Sequence, residues 1–185
     1  TEDGRIIFRS QHLLLLKDFN ASENIPKLID FGVKSFKIEG RLKDISYVKN
    51  VVLYYNNLLN KFAKRSSSGR VFTDFIPDIN KTFNRGYTDY FLNNRNHCYN
   101  FKTSKSIGEK VGSVTKLGSN YIVTDCSLHS QDGLCFFKDG EIYGFMVNKS
   151  NGGKVYPNHM DNLYVGADLY RNYNSLLTNG LAKFF

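Results

Sequence analysis

The stretch VKSFKIEGRLKDISYVKNVVLYYNNLLNKF, residues 33–62, decides how the chain is read. It opens on a short apolar run, Val33 to Ile38, interrupted by Lys34 and Lys37. A tight polar break follows, Glu39-Gly40-Arg41. Beyond it Ile45, Val48, Val51, Val52, Tyr55, Leu58, Leu59 and Phe62 recur at helical spacing, the longest such pattern in the sequence. Asp44 stands just before this pattern as an N-cap, where its carboxylate accepts free backbone N–H groups and complements the positive end of the helix. One strand–turn–helix unit is therefore expected. Its charged residues fall where a parallel strand hands over to its helix, the rim on which open α/β sheets and barrels place ligands.

Working upstream, Leu13 to Leu16 is a fully apolar run, which suits a strand covered on both faces. It ends at Lys17-Asp18. A short helix is expected near Ile25 to Phe31, with Ser22 or Asn24 as its cap. Pro26 fits the first turn, whose N–H groups are free in any case, and Gly32 fits the position just past the end. Residues 13–62 thus read strand, helix, strand, helix, with the two strands parallel because a helical crossover joins them. On that reading Lys17 and Asp18 share a rim with Glu39 and Arg41, and this rim is the best candidate site. Two such units do not close a barrel, which takes eight and about 250 residues. The sheet is then either covered in another way or completed by chain upstream of Thr1. A short strand at Ile6 to Phe8 is also expected.

Composition sets the outer limits. The chain has 185 residues, of which 41% are hydrophobic and only three are proline, so a folded protein is expected. No apolar run approaches the roughly 20 residues of a membrane helix. Thr1 to Phe19 lacks the basic start and long apolar core of a signal peptide. The formal charge is +8. Residues 1–65 carry 12 Lys/Arg against 7 Asp/Glu, and residues 66–185 carry 13 against 10. With no dense basic run, this is either a solvated basic surface or a surface for a polyanion, RNA before membrane. Cys98, Cys126 and Cys135 are odd in number and form no C-x-x-C pair, which argues against a disulfide framework or zinc ribbon and for a cytoplasmic setting.

Downstream, Arg65 to Arg70 (RSSSGR) is a Ser/Gly linker and the clearest boundary. Val71 to Ile76 has an extended pattern, and Pro77 to Phe83 reads as a turn entering a short helix. In FNRGYTDYFLNNR, Phe83, Tyr87, Tyr90 and Phe91 surround Arg85 and Arg95; packing is a better account of these aromatics than base stacking. From Ile107 the pattern changes to short alternating runs: EKVGSVTKL, NYIVTDC, GLCFF, EIYGFMVN, GKVYP and ADLYRNY. Gly118-Ser119-Asn120, Asp132-Gly133, Asp139-Gly140, Asn151-Gly152-Gly153 and Gly166 separate them, and Asp-Gly between such runs is a hairpin signal. These six runs predict a small closed antiparallel barrel, since closure removes exposed edges. Leu176 to Phe185 is a tail with a short helix.

The charged groups near Glu39 and Arg41 admit two readings: substrate orientation or acid–base work at a cleft, or salt bridges closing the end of a sheet. Metal binding has little support. Cys126 and His129 have C-x-x-H spacing and His97 adjoins Cys98, but Cys126 and Cys135 lie in apolar runs where free Cys behaves as a small core residue. There is no nucleophile elbow, phosphate loop or dinucleotide fingerprint.

These residues carry a resemblance. KDFNASENIPKLIDFGVKSFKIEGRLKDISYVKNVVLYY together with TFNRGYTDYF resembles the collagenase-like peptidase family U-thirty-two, through Lys37, Glu39, Gly40, Arg41, Tyr47, Val48, Phe83, Arg85, Gly86 and Tyr87. The run GEKVGSV, Gly108 to Val114, resembles the start of that family's C-terminal β-barrel. The resemblance implies a mixed fold, α/β plus all-β. Residues 1–65 would be the terminal βαβα units of a TIM-like barrel whose upstream half is a partner from the same protein. Residues 66–105 would connect them to a small antiparallel β-barrel at 106–175 and a tail at 176–185. It implies a role in hydroxylation of rRNA or tRNA, with the rRNA cytidine branch nearest, or alternatively a peptidase whose small barrel presents a protein substrate. Glu39 and Arg41 would then orient substrate or move protons, and Lys17, Asp18, Lys37, Tyr47, Arg85 and Tyr87 would bind it. The basic barrel and the aromatic–Arg stretch would hold RNA. An iron–sulfur cluster is implied only for cysteines upstream; no cofactor is expected within these residues, and Asn20 stands where some members have Cys.

Overall fold

The computed structural model of the chain describes residues 3–5, 12–64, 69, 71–94 and 97–183. The expected strand at 6–8, most of the 65–70 linker and Arg95 lie outside the described residues. The dominant body is the downstream half. Strands β3 (Glu109–Leu117), β4 (Ile122–Thr124), β5 (Gly133–Lys138), β6 (Glu141–Asn151), β7 (Lys154–Pro157) and β8 (Asp168–Tyr173) close into a barrel in the order β3-β4-β7-β6-β5-β8, every pairing antiparallel. Each of the six alternating runs supplies one strand. Their inward residues, among them Val114, Ile122, Leu134, Phe136, Phe145, Val147, Val155 and Leu169, form one buried core. The Asp139-Gly140 hairpin joins β5 to β6 with both residues at positive φ, the twist that matches two right-handed strands.

Asp132-Gly133 behaves differently. It is not a hairpin: β4 and β5 are not neighbours in the barrel. Asp132 is instead fully buried at the barrel's end. Its carboxylate accepts from Arg171 Nη1 at 3.3 Å, from the His129 backbone N–H at 3.0 Å, and from both the N–H and Oγ of Ser175 at 2.9 Å. Arg171 also donates to Glu109 from Nε and Nη2, at 3.0 and 2.6 Å. Ser175 opens helix α3 (Ser175–Ala182), which Asn174 caps through the Leu177 N–H. The network thus ties the barrel to the first turn of α3.

Helix α2 (Ile45–Leu59) forms where the periodicity places it, and Asp44 caps it by accepting the Tyr47 N–H at 2.8 Å. Its buried side is not the whole predicted stripe. Asn50 is fully buried, donating to the Asp78 carbonyl and Thr82 Oγ1 and accepting from the Asp78 N–H. Leu53 packs with Leu177 and Leu181 of α3 and with Phe75. This polar pin turns α2 toward residues 78–82, and leaves Ile45 66% exposed and Val52 open.

The expected parallel βαβα unit does not form among the described residues. Residues 13–14 are a turn with Leu14 96% exposed, and Leu16 makes only an isolated antiparallel bridge to Tyr99. Val33 to Ile38 forms no strand and has no ladder partner among the described residues, and its apolar side chains are partly open to solvent. A strand covered on both faces needs neighbours that these segments do not provide for each other. The parallel pair that does form lies one step further along. Strand β1 (Asp18–Phe19) pairs with β2 (Tyr87–Thr88), Asp18 opposite Tyr87. Helix α1 (Ile25–Asp30) follows as expected, ending at Gly32 with φ +86°, but neither Ser22 nor Asn24 caps it through its side chain. The Asn20 side chain accepts the Ser22 N–H instead. Pro77 to Phe83 contains the expected short helix as a single 3-10 turn, Ile79–Lys81. No helix among the described residues is long and apolar enough to cross a membrane.

Candidate functional site

Asp18 ends up beside Arg85 because β1 and β2 pair. The Asp18 carboxylate accepts the Arg85 backbone N–H at 2.8 Å and the guanidinium from Nη2 at 2.6 Å and Nε at 3.4 Å. That hydrogen bond holds the Arg85 pKa above its ordinary value. Glu39-Gly40-Arg41 reaches the same place from the loop before α2. Tyr47, one turn into the helix, donates its hydroxyl to the Glu39 carbonyl at 3.4 Å, and Glu39 pairs with Lys37 at 2.9 Å on the surface. Leu42, next in the loop, has φ +60° and is 96% exposed, a conformation that costs a branched side chain energy.

Together these segments line one cavity of about 740 Å³. Asp18, Lys37, Glu39, Arg41, Tyr47 and Arg85 all border it, so six of the eight residues singled out from the sequence meet there. Lys17 and Tyr87 do not. Consecutive residues of an extended chain point to opposite sides, so Lys17 faces away from Asp18. It borders a separate depression with Tyr87 and His97, and its stem crosses Gly86. Tyr87 is a packing residue here: its hydroxyl donates to the Ile79 carbonyl at 2.8 Å, and burial pushes its pKa far up.

Sequence reading missed Lys43. Its ammonium lies 3.1 Å from the centre of the Phe83 ring and 5.8 Å from that of Tyr47, and burial lowers its pKa against the pull of Asp18. Its place between the polar break and the Asp44 cap is the signal that was available. Tyr55 and Val52, members of the helical stripe, line the cavity wall, Tyr55 donating to Asn20 Oδ1 at 2.8 Å. Burial raises the pKa of Tyr47 and Tyr55, so both stay neutral. With Asp18 held by Arg85 and Glu39 by Lys37, Arg41 is in no ion pair among the described residues, and Lys43 feels Asp18 and Asp44 only at longer range. The wall can therefore accept an anionic group beside neutral aromatic rings.

The residues present do not fit an iron–sulfur cluster. Among the described residues no three Cys, His, Asp or Glu side chains gather as metal ligands. Cys135 is in the barrel wall, its thiol pushed up to about 11 by burial, the opposite of what a thiolate ligand requires.

The model of Peptidase family U32 matches residues 1–102, the segment that builds this cavity. The chain belongs to peptidase family U32. Among curated proteins it is 40% identical over 185 residues to the 23S rRNA 5-hydroxycytidine C2501 synthase of Escherichia coli (strain K12), covering 92% of this chain and 27% of that protein. It is 35% identical over 76 residues to tRNA hydroxylation protein P1 of Bacillus subtilis (strain 168), covering 41% and 18%. It is 25% identical over 149 residues to a collagenase of Porphyromonas gingivalis (strain ATCC BAA-308 / W83), covering 76% and 36%. The chain thus spans about a quarter of the length of the first of these relatives. A match to 92% of the chain necessarily runs into the barrel, beyond the residues of the family model. No solved structure matches the chain significantly.

Proposed function

We propose that this U32 chain serves RNA hydroxylation and that its cavity receives a nucleotide of the RNA. The carrying observation is the cavity's charge state: Asp18 and Glu39 are taken by Arg85 and Lys37, while Arg41 is in no ion pair among the described residues and Lys43 rests on the Phe83 ring beside Tyr47. Two cations next to flat neutral rings suit a phosphate and its base. Arg41, with its planar fork, would hold the phosphate, Lys43 would supply a partly desolvated charge, and Glu39 would fix Tyr47 through its carbonyl. The likeness to the rRNA 5-hydroxycytidine synthase, greater in identity and coverage than that to the collagenase, supports RNA as the substrate class. In the same reading the open apolar residues Leu14, Phe31 and Leu42 are covered by the rest of a TIM-like barrel, and any iron–sulfur cluster is held there.

The test is the hydroxylated nucleoside content of rRNA and tRNA, by mass spectrometry, from cells whose gene carries Arg41→Gln or Lys43→Gln. Loss of a positioned charge should lower the modified nucleoside by about tenfold or more at unchanged protein level. Unchanged content in both variants would overturn the proposal. Gelatin cleavage by the purified protein that disappears with Glu39→Gln would replace it with a peptidase.

A further inference from the structure

The barrel has two chemically opposite outer faces. Around Phe137, Tyr164 and Tyr170 the surface carries Asp139, Glu141 and Asp168 against Lys102, with Lys110 held by Asp168 at 2.9 Å. The wall β3-β4-β7-β6 is different. Val155 is fully buried, so Lys154 and Tyr156 on either side of it point outward. Register then builds the face: Lys116 lies opposite Val123, Val123 opposite Lys154, and Tyr156 opposite Lys149. Lys116, Lys149 and Lys154 are exposed, and none has a carboxylate partner among the described residues. The nearby carboxylate of Asp125 is turned back onto the Ser113 N–H at 2.6 Å.

Two aromatic rings sit among these cations. Tyr121 and Tyr156 have ring centres 6.0 Å apart, and the Lys154 ammonium is 5.0 Å from the centre of Tyr121. The Tyr121 ring lies so close over Gly118 that a Cβ there would overlap it. That contact fixes the ring's position before any ligand arrives. Strand spacing of roughly 5 Å spreads the three lysines along a band rather than at one point.

We infer that this wall is a second RNA-binding surface, distinct from the cavity, that takes a single-stranded segment. Lys116, Lys149 and Lys154 contact its phosphates, and Tyr121 and Tyr156 stack on its bases. Charge complementarity selects a polyanion, and flat rings interleaved with cations select unpaired bases over a duplex or an acidic polypeptide. The choice of RNA rests on the proposed function, but binding is measured without hydroxylation, so the two fail separately.

The experiment is fluorescence anisotropy of the whole chain with a labelled mixed-sequence oligoribonucleotide of about 12 nucleotides, within the range such modules cover, across a salt series. The combined Lys116→Gln, Lys149→Gln, Lys154→Gln variant should lose at least about tenfold in affinity at low salt. Its slope of log affinity against log salt should shrink by about 2, at roughly 0.7 per phosphate contact on a single strand. Tyr121→Leu with Tyr156→Leu should lose about five- to a hundredfold with the slope retained, whereas the Phe pair should bind as the parent does. Lys102→Gln with Lys110→Gln, toward the acidic face, should change nothing. No binding by the parent chain, an unchanged lysine variant, equal loss from the Lys102/Lys110 control, or polyglutamate displacing the RNA at equal charge would each overturn the inference.

Discussion

Replacing Asp132 by Asn should loosen helix α3 as well as the barrel. The carboxylate is fully buried and is the meeting point of Arg171, the His129 N–H and the first turn of α3. Asn can still accept from Ser175 through its oxygen, but its NH₂ must then face Arg171 and the His129 N–H, both donors. Breaking a buried ion pair by removing one partner costs about 3–5 kcal/mol. Arg171 keeps Glu109 at 2.6 Å, which puts Asp132→Asn near the lower end, about 3 kcal/mol. In a chain of this size each kcal/mol moves the melting temperature by roughly 2–4 °C, so a drop of about 6–12 °C is expected by calorimetry. Asp132→Ala, which also strands the Ser175 N–H and hydroxyl, should fall further. Hydrogen exchange gives the location: amide protection in α3 should fall before that of the barrel strands. Because Leu177 and Leu181 rest on Leu53, α2 should lose protection with it. A melting temperature within about 2 °C of the parent, or unchanged α3 protection, would refute the reasoning.

Two further outcomes follow from the barrel. Burial raises the Cys135 thiol to about 11, so the folded state favours the neutral form. Its stabilising contribution is complete below the unfolded thiol pKa, about 8.5, and is lost as pH rises toward the folded value. The melting temperature should therefore fall across that interval, and Cys135→Ala should flatten the fall; an identical slope in the variant would contradict it. Gly108 has φ +72°, and a Cβ there would run into the Arg171 carbonyl oxygen. Gly108→Ala should cost about 3 kcal/mol, combining left-handed strain with a backbone clash, and a parent-like melting temperature would show that the strand ends shift freely.

The barrel was legible because its information is local. Alternating runs and glycine turns such as Asp139-Gly140 specify both the strands and their hairpins. Helix α2 was legible for the same reason, through its period and its Asp44 cap. What failed was non-local. Val33 to Ile38 has a strand's pattern, but no pattern reveals whether a partner strand lies beside it. Asp132-Gly133 has the chemistry of a turn, yet its carboxylate is fixed by Arg171 and Ser175, far along the chain. Asn50 interrupts the apolar stripe of α2 and is its main anchor to residues 78–82. In the site, the motif residues pointed to one place even though the sheet expected beneath them does not form among the described residues. Strand alternation, which removes Lys17 from that place, was visible in principle at Lys17-Asp18. Lys43 was passed over because it belongs to no motif.

The account stands on one placement: RNA enters the cavity walled by the loop before α2. The direct measurement is photocrosslinking of the protein to RNA carrying 4-thiouridine, with the attached peptides mapped by mass spectrometry. Crosslinks within residues 35–59, at the walls formed by Phe36, Tyr47 and Tyr55, are the predicted result. Efficient crosslinking in which every attachment falls outside those residues would contradict it.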